Sequence, residues 1–306
     1  ILMTFVTLSL WKDDMLAQAQ ISATIEQERK EKPYHLTSTV LSLGCLFTEG
    51  NHLYWDKSHE LGGAARDGLL ELMEKMERQF GAKMTVLRDF GVNPVWNEAL
   101  YGHGFLRVQM PNSCTVELKG IDSMTMYIEQ LSARNRRHFR KDIQPFLELT
   151  QSKIISNASA LQIKELKRLF SEVQKRNLGL NTFSFPDKLF EQMNENDLWE
   201  FIVLTLKEKP NKILGVMFCY SNQKAVYVPS FVGMDYDLLE SFSTYRQLLY
   251  RTIERAIALK LPKIDFGMTA SFEKRKLGAM VHEKYAYLQT NDNFILEMIG
   301  VMEGQH

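Results

Sequence analysis

Three strand-like segments in succession, followed by a polar loop, a helix and a further strand, define the fold of residues 199–266. The strands are predicted at residues 199–206, 212–219, 225–232 and 263–266, and the helix at 244–260. Short polar turns between the first three strands indicate antiparallel hairpins. The last strand ends in the sequence Asp265-Phe266-Gly267. This order of elements collects polar groups at one edge of a sheet, where ligands commonly bind in open α/β sheets.

A weak internal repeat predicts two α+β units. The earlier half contains a strand at 39–47, a helix at 64–80 and a strand ending in Arg88-Asp89-Phe90, and the later half contains 225–232, 244–260 and Ile264-Asp265-Phe266. Repetition of the same supersecondary order favours a duplicated architecture. We therefore predict two domains, residues 1–114 and 115–306, each with a mixed, mostly antiparallel sheet flanked by helices.

Charge and cysteine content narrow the classes of function. Lys plus Arg and Asp plus Glu both total 37, so no overall field directs the chain toward nucleic acid or membrane. Cys45, Cys114 and Cys219 are widely spaced and odd in number, which favours buried, reduced thiols. The apolar start, residues 1–11, is too short to span a bilayer and is interpreted as a strand. We expect a cytoplasmic protein without a membrane span.

Several catalytic signatures are absent from the sequence. It has no P-loop, no Rossmann glycine fingerprint, no Gly-x-Ser-x-Gly elbow and no His-Glu-x-x-His motif. These absences disfavour an ATPase, a dehydrogenase, an α/β-hydrolase and a zincin. His138 has no second His or Cys at ligand spacing, so no metal site is predicted.

A long basic helix is predicted over residues 124–146, with a break near Pro145 as the alternative. Its cations are Arg134, Arg136, Arg137, Arg140 and Lys141. Like charges three or four residues apart repel each other by a few tenths of a kcal/mol per pair. Such a helix suits an anionic partner, either a substrate phosphate or an RNA backbone. Alternatively, the charged face of this helix is solvated, and the acidic loop 235–240 balances its positive charge.

Two groups of residues resemble the GNAT acyltransferases. The first is Leu131-Ser132 with Arg136-Arg137 and Arg140-Lys141, and the second is Gly233, Tyr245, Ala256, Asp265-Phe266-Gly267, Lys274 and Leu277-Gly278. The pattern of these residues is most similar to that of the FemAB-like branch, which includes the peptidoglycan-bridge aminoacyltransferases. The resemblance covers residues 115–282 well, and the earlier residues only through the repeat.

The resemblance implies two tandem GNAT-like domains and an N-acyltransferase. An acyl or aminoacyl group would pass from a thioester or ester donor to an amine of a small molecule or a peptidoglycan precursor. The implied donor is acyl-CoA or an aminoacyl-tRNA, with no bound cofactor. The oligomeric state stays open.

Three residues are candidates for catalysis. Asp265 could orient or deprotonate the amine, or it could brace a loop. Lys274 could hold a phosphate or the carbonyl oxygen, or it could be a solvated lysine of the run 273–276. Tyr245, at the start of the predicted helix, could donate to a leaving group, or it could be a core aromatic residue.

Six residues are candidates for binding the substrate or donor: Arg136, Arg137, Arg140, Arg246, Gly267 and Gly278. The arginines would hold phosphates, although Arg246 could instead pair with Glu240 or Asp237. The glycines indicate positive φ or a close backbone approach, either for a ligand or for packing alone.

The loop before the predicted helix departs from acetyl-CoA-dependent GNAT enzymes. It carries Asp235, Asp237 and Glu240 where those enzymes have a glycine turn that holds pyrophosphate. The FemAB-like branch lacks that turn as well, so the fold is expected while the donor is left open. An alternative function is a catalytically silent GNAT-like module that binds a partner through the basic helix, residues 134–141.

Overall fold

The computed structural model describes residues 1–50, 52–177 and 180–292. These residues form two compact units. Unit 1 comprises Ile1–Pro111, Asn177–Phe183 and the residues from Glu283 on, and unit 2 comprises Asn112–Arg176 and Ser184–His282. The division therefore falls three residues before the expected boundary at 114/115. It also differs from that expectation because two later segments belong to unit 1.

Unit 1 contains β1 (Leu2–Thr4), β2 (Val6–Lys12), α1 (Ala19–Arg29), β3 (Thr37–Leu43), β4 (Leu53–Trp55), α2 (Gly62–Phe80), β5 (Met84–Phe90), α3 (Pro94–Gly102), the first half of β6 (Leu106–Glu117) and most of β12 (Met280–Thr290). Four of its strands are neighbours in the order β2-β3-β5-β12. The β3–β5 pair is parallel, and the other two pairs are antiparallel. Helix α2 ends at Phe80, and Gly81 with a φ of 61° forms its left-handed cap.

Unit 2 contains the rest of β6, α4 (Met124–Gln130), α5 (Ala133–Asp142), α6 (Gln144–Leu147), β7 (Thr150–Ile155), α7 (Ala160–Arg176), α8 (Asp187–Glu195), β8 (Trp199–Leu206), β9 (Ile213–Asn222), β10 (Val226–Met234), α9 (Thr244–Ala258), β11 (Lys263–Gly267), α10 (Ser271–Lys276) and the start of β12. Its strands follow the order β7-β8-β9-β10-β11-β6. The predicted hairpins β8–β9 and β9–β10 are present. The α+β class with mixed sheets and flanking helices is confirmed.

The segment after α7 belongs to unit 1 because of a buried polar network. The Asn181 amide donates to Asp14 Oδ2 at 2.8 Å and to Glu26 Oε1 at 2.9 Å. Arg29 donates to Asp14 Oδ1 at 2.6 Å, and Lys12 donates to Glu26 at 2.9 Å. Asp14 is fully buried, so its charge needs these partners. Although burial raises it, the hydrogen bonds from these cations and the amide lower the pKa of Glu26 to about 2.

Strand β12 belongs largely to unit 1 because it pairs with β5. The register places Tyr285 opposite Phe90 and Thr290 opposite Met84. The two strands are far apart in the sequence, and local sequence patterns carry no signal for a pairing over such a separation. Strand β12 ends at Thr290, and residues 293–306 lie outside the described part of the chain.

The structure forms α4, α5 and α6 where one helix was predicted over 124–146, so the break near Pro145 is present and a continuous helix through Leu131 is wrong. Leu131 is extended, with φ −64° and ψ 151°, and it ends α4. Ser132 then caps α5 by accepting a hydrogen bond from the Asn135 backbone N–H at 3.2 Å. Pro145 near the start of α6 completes the break.

The core of unit 2 fixes which side chains of β11 face inward. Ile264 and Phe266 are buried with Cys114 and Val116 of β6 in one apolar cluster that includes much of α9. Because side chains alternate along a strand, Asp265 lies on the other face of this sheet.

Two expectations from composition can be compared with the structure: the burial of the cysteines and the membrane span. Cys114 and Cys219 are buried, reduced cysteines, whereas Cys45 is only partly buried. No helix in the described ranges is both long and apolar enough to cross a bilayer.

Candidate active site

The parallel strands β10 and β11 are neighbours in the sheet but share little regular pairing. Over the described residues, they are in register at one pair, Tyr227 and Ile264. By contrast, β10 pairs with β9 along its whole length, with an irregularity between Pro229 and Phe231. Beyond Tyr227 and Ile264, the described residues at the carboxyl ends of the two strands have no further pair in register, which leaves a gap in the pairing. This gap, the β10–β11 gap, is the centre of the candidate site.

The N-terminus of α9 lies at the same edge as the carboxyl ends of β10 and β11. A helix that connects two parallel strands returns antiparallel to them, which places its first turn there. Ser243 is the N-cap residue, with φ 50°, and its side chain accepts no hydrogen bond from a backbone N–H of the first turn. The positive end of the helix dipole is thus directed at the edge of the gap.

Arg246 joins the first turn of α9 to α10. Its Nε lies 2.6 Å from Glu273 Oε2, its Nη2 lies 3.1 Å from Oε1, and its Nη1 donates to Ser243 Oγ at 3.2 Å. The bond to the Glu273 carboxylate raises the pKa of the guanidinium above its ordinary value. The partner is therefore neither Glu240 nor Asp237. Arg246 positions α9 against α10, and its role as an anion ligand stays a prediction.

Lys274 points into the protein, in contrast to the solvated lysine of the alternative interpretation. Its side chain is buried, and its Nζ lies 2.7 Å from the Phe266 carbonyl oxygen, 3.2 Å from that of Gly267 and 2.7 Å from that of Met268. An ammonium group has three donors. Three consecutive backbone carbonyls accept from it, so this geometry makes Lys274 a positioning residue for the loop after β11.

The loop held by Lys274 has an unusual backbone. Gly267, Thr269 and Ala270 have φ values of 64°, 64° and 47°. Left-handed conformations cost free energy for residues with a side chain, and they persist where the surrounding structure imposes them. The prediction of positive φ at Gly267 is confirmed. The buried ammonium of Lys274 and the strained loop form one rigid wall beside the β10–β11 gap.

Gly278 also has positive φ, at 91°, but its surroundings are those of a packing residue. A Cβ there would lie 2.6 Å from Leu131 Cδ2 and 3.3 Å from the Tyr127 hydroxyl. That hydroxyl donates to the Leu277 carbonyl. Close packing against α4 accounts for this glycine, so it favours the structural alternative over a donor-binding role.

Asp265 and Tyr245 do not come together. Asp265 is half-buried, and its Oδ1 accepts from the Gly267 backbone N–H at 2.9 Å. Tyr245 packs against the apolar core on the α9 side, near Cys114, and burial raises the pKa of its hydroxyl. Asp265 is opposite Thr115, the residue next to Cys114, and consecutive strand residues face opposite sides. The two predicted catalytic residues therefore lie on different faces of the sheet.

A polar pair that the sequence did not reveal lies beside Asp265. Thr115 Oγ1 and His282 Nε2 are 2.8 Å apart, although the two residues are separated by 167 positions. Thr115 is buried, whereas His282 is exposed near the start of β12. No local motif marks either residue, because the pairing depends on the sheet topology alone.

The acidic loop after β10 is partly neutralised. Asp235 Oδ2 accepts from Lys212 Nζ at 2.6 Å, and its Oδ1 accepts from the Asp237 backbone N–H at 3.1 Å. Burial opposes ionisation, but the Lys212 ammonium holds the pKa of Asp235 below its ordinary value. Asp237 and Glu240 are exposed. The repulsion of a phosphate expected from three carboxylates is therefore reduced.

The basic helix α5 presents unpaired charge. Arg136 is the exception, because it donates to the backbone carbonyls of Glu129 and Leu131 and so supports the α4–α5 turn. The remaining cations are exposed, and across the described positions none of them has an ion pair or side-chain hydrogen bond: Arg134, Arg137, Arg140 and Lys141. The acidic loop therefore does not offset them. The Asn135 amide donates to the Arg275 carbonyl at 3.0 Å, which places α5 beside α10.

Residues 133–275 match a family model described as an acetyltransferase (GNAT) domain. The matched segment runs from the start of α5 to α10 and contains β10, α9 and β11. No curated protein matches the chain. Unit 2 is thus built around a GNAT acyltransferase-like domain, as the resemblance implied. The model is that of a broader family, and the FemAB-like branch stays a prediction.

Solved structures share this fold at low sequence identity. The C-terminal domain (DUF2156) of a protein assigned as a lysylphosphatidylglycerol synthetase from Agrobacterium fabrum has a TM-score of 0.54 at 10% identity, over 86% of this chain and 84% of that one. A GCN5-related N-acetyltransferase from Sphaerobacter thermophilus has a TM-score of 0.50 at 10% identity, over 94% and 95%. A tandem GNAT protein from the clavulanic acid biosynthesis pathway has 0.50 at 8%, over 83% and 78%. These similarities establish the predicted fold class.

Proposed function

We propose that this protein is an N-acyltransferase that moves an acyl or aminoacyl group from a thioester or ester donor to an amine. The observation that carries the proposal is the β10–β11 gap, which lies inside the segment that matches the acetyltransferase model. An extended donor arm could pair with the facing strand edges of the gap, as peptides do when they add to a sheet.

The reaction needs few protein groups. The amine nitrogen forms a bond to the acyl carbon, the bond from that carbon to the donor sulfur or oxygen breaks, and the amine loses a proton. An enzyme contributes by positioning the reactants, removing that proton and stabilising the oxyanion. Asp265 is half-buried at the end of β11, and its charge would attract a cationic amine. The loop that Lys274 holds would keep this carboxylate in place through the Gly267 N–H.

Two donors fit different parts of unit 2. An acyl-CoA would place its phosphates near the α9 N-terminus, where Lys212 partly neutralises the acidic loop. An aminoacyl-tRNA would use the exposed cations of α5, which adjoin α10. One neighbour in fold is assigned as a lysylphosphatidylglycerol synthetase, so aminoacyl donors belong in the proposal. The acceptor would be a small-molecule or peptidoglycan-precursor amine, handled in the cytoplasm.

Isothermal titration of the full chain with acetyl-CoA, longer acyl-CoAs and an aminoacyl-tRNA tests the proposal. We expect one donor class to bind and to support acyl transfer to an amine panel, with Asp265→Asn lowering turnover in a folded sample. Absence of binding to every donor, in a sample with native circular dichroism, would refute the proposal.

A second candidate function is a silent binding module that uses α5, which its unpaired exposed cations favour. It predicts that Arg137→Ala with Arg140→Ala removes RNA binding and reduces the slope of log affinity against log salt by about 0.7–0.9 per lost phosphate contact. Lys153→Ala with Lys164→Ala, two exposed cations elsewhere on unit 2, is the matched control. In this case Asp265→Asn changes nothing measurable.

A further inference from the structure

Three polar side chains form a row across adjacent strands of unit 2. Asp265 of β11 is directly opposite Thr115 of β6, and Thr115 is hydrogen-bonded to His282 of β12. Directly opposed residues point to the same face of a sheet. The neighbouring pair on this face, Lys263 and Glu117, forms an ion pair at 3.3 Å. We call Asp265, Thr115 and His282 the polar row, and it lies on the face away from the α9 core.

The geometry of the polar row suits proton transfer. Thr115 is buried while His282 is exposed, so the hydroxyl fixes one edge of the imidazole and leaves the rest of the ring accessible. A hydroxyl group both donates and accepts. In the neutral tautomer whose Nε2–H donates to Thr115 Oγ1, Nδ1 carries no proton and can take one up. The bond between Nε2 and Oγ1 therefore persists when the ring gains a proton at Nδ1.

The other end of the polar row is suited to a cation. Asp265 uses Oδ1 for the Gly267 N–H, and within the described ranges no hydrogen bond to its Oδ2 is present. Strands are about 4.8 Å apart, so two spacings place β11 and β12 about 10 Å apart. A carboxylate and an imidazole thus bracket Thr115 on one face. Met280, two residues before His282 and 48% exposed, adds apolar surface beside them.

We propose that His282 is the general base of the acyl transfer, with Thr115 as its positioning residue and Asp265 as the binding group for a cationic amine. This inference rests on the proposed function and names its acceptor class, an amine that arrives as an ammonium ion. The ammonium loses one proton to His282 Nδ1. The neutral nitrogen then forms the C–N bond, the donor C–S or C–O bond breaks, and the leaving thiolate or alkoxide takes up a proton from the imidazolium. The acylated nitrogen gives its second proton to the neutral imidazole, which releases it to solvent.

Variants of the full chain test the assignment through turnover. We expect His282→Ala to lower kcat by about 10²- to 10⁴-fold with little change in KM, and added imidazole to restore part of the loss. His59→Gln, an exposed histidine in unit 1, is the control. Thr115→Val should give a smaller loss, and Thr115→Ser should retain most of the rate. Turnover of His282→Ala at the wild-type rate, or a loss that imidazole does not reduce, would overturn the assignment.

An imidazole NMR titration with putrescine, without any donor, separates this inference from the proposed function. We expect the His282 ring signals to shift in the wild-type protein, the His59 signals to stay, and Asp265→Asn to weaken the response. If no donor supports turnover yet the His282 signals shift, the amine site stands and the acyl-transfer proposal fails. If the His282 signals do not respond to the amine, the inference fails even where acyl transfer is observed.

Discussion

Replacement of Lys274 by methionine tests the interpretation of the loop after β11. Methionine keeps much of the apolar volume and removes the ammonium. The carbonyl oxygens of Phe266 and Met268 lose a buried donor at 2.7 Å, whereas that of Gly267 is partly buried and regains water. A buried acceptor without a partner costs about 1–3 kcal/mol.

The expected loss for Lys274→Met is therefore about 4 kcal/mol, from two buried acceptors at about 2 kcal/mol each, the middle of that range. Removal of a buried charge acts in the opposite direction, because the ammonium no longer has to be desolvated. We expect the carbonyl term to dominate, since the left-handed backbone at Thr269 and Ala270 depends on the same contacts. The loop should open as well as lose stability.

Urea unfolding, with amide hydrogen exchange followed over residues 263–278, measures both effects. Arg275→Met is the matched control, because the Arg275 side chain is exposed on the same helix, and it should change the free energy of unfolding by less than about 0.5 kcal/mol. If Lys274→Met keeps both the unfolding midpoint and the exchange protection of the wild type, the positioning role is refuted.

Three further changes have defined outcomes in urea unfolding. Gly233→Ala should cost about 3 kcal/mol, since a Cβ would lie 2.6 Å from α7 backbone, whereas Gly68→Ala in open space on α2 should stabilise by about 0.5–1 kcal/mol. A double-mutant cycle of Arg246→Gln and Glu273→Gln should give a coupling of about 1 kcal/mol, and a value near zero would remove the α9–α10 link. The pKa of Glu26 is about 2 when folded against 4.5 ordinarily, so its stabilisation, present above about pH 4.5, is lost as the pH falls toward 2. Glu26→Gln should flatten that acid limb, and an unchanged pH profile would contradict the assignment.

Local patterns in the sequence were sufficient to predict the elements of unit 2 from β8 to β11. The strands around 199–232, the helix after them and the strand ending at Gly267 follow from residue periodicity and turn chemistry, which act over short stretches. The basic run was also predicted as helical, with a break near Pro145 as the alternative, but its division at Leu131 was missed. The break at Leu131 and Ser132 has a capping signal, and the strong charge pattern obscured it.

The candidate site was harder to predict because its contacts are long-range. Thr115 and His282 meet only because β12 is a neighbour of β6. The strand order also decides that Tyr245 and Asp265 face opposite sides of the sheet. Lys274 illustrates a different limit, since a lysine in a charged run gives no indication that its ammonium will turn toward backbone carbonyls.

The pairing of β12 with β5 has a consequence for synthesis on the ribosome. Thr290 donates to the Lys83 carbonyl, a residue made 207 positions earlier, so one edge of β5 lacks its partner until unit 2 has been translated. At ordinary elongation rates of 5–20 residues per second, about 200 residues take about 10–40 s. During that interval the open edge can pair with other nascent chains. Unit 1 is the first to be started and the last to be completed, and its yield in the cell should depend on how fast the intervening residues fold.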